Sequence, residues 1–78
     1  MSKKTLDECV RETLADYFKD LGGAEPHAMH DMVMRTVERP LLEVVMERTA
    51  GNQSKAAEWL GINRNTLRRK LLEHHLVK

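Results

Sequence analysis

Four residues within a six-residue stretch, Asn63, Arg64, Asn65 and Arg68, carry side chains able to hydrogen-bond base edges. Such chemistry needs a helix that can enter the major groove with its N-terminal residues toward the bases. The residues just before them have the composition of a device that presents such a helix. Ala57 is small where two helices would come closest, and Gly61, four residues on, suits a turn with positive φ. Ala56, Leu60, Ile62, Leu67 and Leu71 are spaced to plug the angle between the two helices. The pattern predicts a helix-turn-helix, with helices over Gln53–Leu60 and Arg64 to about His75. Asn52 and Asn63 serve as their N-caps.

The upstream sequence has to position this pair. Apolar residues recur at helical spacing from about Lys4 to Asp20 (Leu6, Cys9, Val10, Leu14, Tyr17, Phe18). A second pattern runs from about Pro26 to Thr49, through Met29, Met32, Val33, Val37, Leu41, Val44 and Val45. Gly22-Gly23 separates the two, Pro26 suits a first helical turn, and Gly51 caps the end of the second. Pro40 falls inside the long helix and predicts a kink there. No stretch alternates in the manner of a strand, so the expected fold is all-α with four helices.

With 78 residues the chain is one domain, too small for a cleft between lobes. A chain of this length buries only about 60% of its unfolded surface and usually needs a staple. One cysteine gives no intrachain disulfide and fits a reducing compartment. The expected staple is therefore a second copy, with the two long helices of each chain forming an intertwined core. Helices 4–49 would make the dimer and 52–75 the helix-turn-helix, all within a single domain spanning 1–78.

The formal charge of +1 conceals a polarity. Residues 52–78 hold six basic and two acidic side chains, net +4, and the first 51 hold seven and ten, net −3. Nucleic acid is the partner this suggests, and an aromatic content of 4% argues against base-stacking platforms. No apolar run reaches the ~20 residues of a membrane span, and Met1–Thr5 does not begin a signal peptide. His27 and His30, or His74 and His75, lack a third ligand at metal-binding spacing. Cys9 lies on an apolar stripe and reads as core, as do most of the methionines. Asp16, Asp20, Glu43 and Glu47 read as solvated helix faces. No phosphate loop or catalytic constellation emerges, so no enzyme, cofactor, metal or small-molecule substrate is expected.

The stretch Pro40-Leu41-Leu42, Gly51-Asn52-Gln53, Ala56-Ala57, Gly61-Ile62-Asn63-Arg64, Thr66-Leu67-Arg68 and Lys70-Leu71 closely resembles the Fis family of bacterial nucleoid-associated proteins. The same helix-turn-helix occurs in the C-terminal domain of nitrogen-regulator-type activators. The resemblance is most specific from Pro40 to Leu71. It reaches back to Leu6 through the Tyr17-Phe18 pair.

The resemblance implies a homodimer in the bacterial cytoplasm that binds and bends double-stranded DNA. Such a dimer reads A/T-centred sites with a flanking G. By position, Arg64 would read that G through O6 and N7, with Asn63 and Arg68 also at base edges. Asn52, Ser54, Lys55, Thr66, Arg69 and Lys70 match phosphate-contacting positions. Several departures stand out. The first helix is expected to begin near Leu6, so the N-terminal arm through which enteric relatives stimulate recombinases, and that activity with it, is not expected here. Asn65 replaces a usual Gly. Leu72-Glu73 and His74-His75 replace a more basic tail, and Trp59, expected to pack on the second helix, replaces a smaller residue. Two other readings fit the same patterns: a helical dimeric adaptor between proteins, and a detached DNA-binding domain of a larger activator.

Overall fold

The computed structural model describes residues 3–77. Four helices follow in order, α1 (Leu6–Leu21), α2 (Met29–Arg48), α3 (Gln53–Leu60) and α4 (Arg64–Glu73), and the described residues contain no strand. The all-α expectation holds, with differences at the helix ends that have local causes.

Thr5 caps α1 by accepting from the Glu8 amide, which moves the start of the helix from Lys4 to Leu6. The second helix begins three residues after Pro26. Ala28 has a φ of +52°, and a right-handed helix cannot pass through a left-handed residue. Pro26 therefore lies in the connection and not in a first turn. α2 continues through Pro40 to Arg48. Its exit uses Ala50, not Gly51, as the first left-handed residue, at φ +53°. The Ala50 amide bonds Glu47 O and the Gly51 amide bonds Met46 O, which satisfies carbonyls that the helix end leaves open. α4 stops at Glu73 because His75 is left-handed at φ +58°, with the Leu76 amide closing back on Leu71 O.

The core is small and sits at the C-terminal side. Leu42 of α2, Ala56 and Ala57 of α3, and Leu67 and Leu71 of α4 are buried together, with Val45, Met46, Leu60, Ile62, Leu76 and Val77 packed around them. α3 packs against both α4 and α2, and α1 makes no comparable contact with any helix. No residue of α1 is buried. Cys9 is accordingly exposed in the single chain, where it lines a groove between α1 and α2. Of the methionines on α2, Met29, Met32 and Met46 are half-buried and Met34 is exposed.

The long helix carries two apolar faces where the sequence pattern suggests one. Leu42, Val45 and Met46 turn toward the helix-turn-helix, while Leu41 and Val44 remain about half exposed. Val10, Leu14 and Tyr17 of α1 line an apolar groove with Met32, Val33 and Val37 of α2. The radius of gyration is 15.4 Å, well above the roughly 11.5 Å of a compact chain this long. A small core and an open apolar groove describe a chain whose N-terminal half is not closed by its own residues.

Candidate nucleic-acid interface

The site is built from its turn outward. Ala57 keeps only 4% of its surface exposed, and Ala56 none, so at these two positions α3 meets its neighbours through a methyl group alone. Gly61 takes φ +73°, and its amide bonds Glu58 O while that of Ile62 bonds Ala57 O. This closes α3 and aims the chain into α4 within three residues. Leu67 and Leu71 are fully buried and anchor one side of α4. The helical period then directs the side chains a third of a turn or more away toward solvent.

Asn63 caps α4, its Oδ1 accepting from the Asn65 amide at 2.7 Å. Its acceptor is thus occupied, and its amide NH₂ remains available to donate. Arg64 and Arg68 stand one turn apart on the exposed side, with Asn65 exposed beside them. Arg69 is 68% exposed and only loosely paired with Glu73 at 3.9 Å, a contact of little energetic weight in water. Thr66 is half-buried at the edge of this face.

Asn52 caps α3 by accepting from the Lys55 amide at 3.0 Å, and Ser54 and Lys55 are exposed in the first turn. The free amides at this helix end suit an anion. Trp59 does not join the core. It is 55% exposed, with Lys55 Nζ 5.6 Å from its ring, so the expectation that it packs on α2 is not met. The reason is its position: the buried face of α3 is taken by the two alanines.

Lys70 occupies a different setting from the other basic residues of α4. Its Nζ lies 2.8 Å from Glu38 Oε2 on α2, and Glu38 Oε1 lies 2.9 Å from His74 Nε2. The Arg39 guanidinium donates to His74 O. The Lys70 hydrogen bond, supported by His74 and opposed by burial, holds the Glu38 carboxyl below its usual range. Sequence reasoning passed over Glu38, Arg39 and the role of His74. They lie 35 or so positions from their partners, and no spacing rule connects them.

Among the described residues, no three His, Cys, Asp or Glu side chains gather at metal-binding separation. No helix is long and apolar enough to cross a membrane. The arrangement presents polar and cationic side chains on one surface, backed by a plugged two-helix corner. The fold and site together define a helix-turn-helix protein.

Comparison with known proteins narrows this class. The model of the bacterial regulatory protein Fis family matches residues 33–74. A Fis-like DNA-binding protein of Ralstonia nicotianae is 52% identical over 77 residues, 99% of this chain and 100% of that protein. One from Neisseria meningitidis serogroup A is 56% identical over 72 residues, covering 92% of this chain and 91% of its own. The DNA-binding protein Fis of Proteus mirabilis is 42% identical over 74 residues, 95% of this chain and 76% of that one. The chain belongs to the Fis family.

Proposed function

We propose that this protein is a homodimeric DNA-binding and DNA-bending regulator. In this reading Asn63, Arg64 and Arg68 meet base edges. Asn52, Ser54, Lys55, Thr66 and Arg69 meet phosphates, and Lys70 joins them only by leaving Glu38. Residues 4–49 make the dimer and 52–75 the DNA-reading unit of one domain.

The observation that carries the reading is the exposed polar and cationic face of α4, held outward by buried Leu67 and Leu71. Arg64 at the helix start can address guanine O6 and N7 as a pair. The capped N-terminus of α3 adds anion-binding capacity beside it. The open apolar groove between α1 and α2 supports the dimer, because a second copy would cover it. Two recognition helices fixed by one rigid core sit at one separation, and DNA whose grooves do not match must bend to meet both.

Gel-shift measurements on A/T-centred duplexes with the flanking G pair at varied separations test this. A single preferred separation with a mobility shift typical of bent DNA is the expected result. Absence of any duplex binding at low salt would refute the reading and favour a protein–protein adaptor.

A further inference from the structure

The Glu38 clasp joins α2 to Lys70 of α4 and to His74, just past the end of α4, through one carboxylate, and both of its oxygens are taken. Lys70 and Glu38 are 29% and 24% exposed at their side chains, and His74 only 8%. Among the described residues, Lys70 is the basic side chain of α4 that reaches back to another helix. The others point to solvent or along α4 itself.

We infer that Glu38 is an internal competitor for DNA phosphate: it holds the Lys70 cation in a clasp with His74, and Lys70 reaches a DNA backbone only when that clasp opens. The inference rests on the DNA-binding reading proposed above. A carboxylate and a phosphodiester each offer one negative charge to the same ammonium. Glu38 has the advantage of being tethered, and a half-buried pair is less screened than an exposed one. His74 bonds the second oxygen and fixes the carboxylate in place. A lysine already neutralised in this way displaces no counterion from DNA, so it adds nothing to the salt dependence of binding. The clasp thereby lowers sequence-independent affinity while leaving Arg64 and Arg68 free to discriminate.

The test is the slope of log binding constant against log salt for the full chain on one A/T-centred duplex and on random duplex. Wild type, Glu38→Gln, Lys70→Gln and the double variant are compared. Glutamine keeps the shape of Glu38, removes its charge and offers one acceptor oxygen where the carboxylate has two, so the hold on the Lys70 ammonium is weakened. Glu38→Gln is expected to bind random duplex more tightly and to steepen the slope by about 0.9, the increment of one phosphate contact. Lys70→Gln is expected to keep the wild-type slope, and the double variant to return to it. The inference is overturned if Lys70→Gln alone flattens the slope by about 0.9 with Glu38 intact, or if folded Glu38→Gln keeps the wild-type slope. Circular dichroism reports folding. Should Glu38→Gln fail to fold, Lys70→Gln alone decides, an unchanged slope supporting the clasp and a flattened one excluding it. If wild type binds no duplex at all, the DNA-binding reading itself fails and the clasp loses its competitor. If wild type binds and the slopes disagree with these expectations, the competition alone is wrong.

Discussion

At the scale of single residues, the two ends of α4 behave differently. Arg64 is exposed at the N-terminal end, where a guanidinium fork can meet a base edge with little rearrangement. Replacing it with Ala should cost about 1–3 kcal/mol on a preferred site and much less on random duplex. Competition titrations would report this as a fall in the ratio of specific to nonspecific binding; an unchanged ratio would remove Arg64 from base reading. Ala50 is the second informative residue. It is exposed and sits at φ +53°, where a Cβ is strained and glycine is not. Ala50→Gly should therefore raise stability by about 0.5–1 kcal/mol, against the usual sign of an Ala to Gly change. Denaturant midpoints would show it, and a lower midpoint would mean that the strain is absent.

At the scale of elements, the Glu38 clasp ties α4 to α2, and its contribution depends on pH. Glu38 titrates below its ordinary 4.5 in the folded chain, so folding favours its ionised form. That stabilisation is present in full above pH 4.5 and is lost as pH falls through the lower folded value. The melting temperature of wild type should exceed that of Glu38→Gln at neutral pH, with the gap narrowing in acid below 4.5. A gap that stays constant into strong acid would show that the carboxylate charge does not matter to stability. The helix-turn-helix itself was legible in the sequence because its determinants are close together: Ala57 to Gly61 is one turn, and each cap acts on residues two or three away. The clasp was not, since a carboxylate 32 positions from its lysine leaves no periodic trace. Pro26 misled for a related reason. Its local preference for a first turn is real, and the left-handed Ala28 behind it overrides it.

At the scale of the whole molecule, the chain holds a closed C-terminal core and an open N-terminal half. Val33 and Val37 lie half-buried in a groove with Leu14 and Tyr17, and α1 buries nothing. The proposed dimer completes that core, so stability and association should be inseparable. Light scattering is expected to give about twice 9.0 kDa. Val37→Glu, which sets a charge in the groove, should halve that mass and weaken duplex binding by more than tenfold, because paired recognition helices are lost. A wild-type chain that measures as a monomer would end the intertwined-dimer proposal.

Local chemistry was determined by the sequence alone: four helices, the caps at Asn52 and Asn63, the turn at Gly61, and the concentration of positive charge after residue 51. These follow from rules that act over one or two turns, where residue type and spacing are sufficient. Tertiary structure alone decided which side chains those elements leave available. It divided the apolar pattern of α2 into a covered and an uncovered face and left Cys9 and Trp59 exposed. It also turned Lys70 inward to Glu38 while Arg64, Arg68 and Arg69 stay in solvent. Availability depends on which distant surface an element meets, and that distance in sequence carries no period to read.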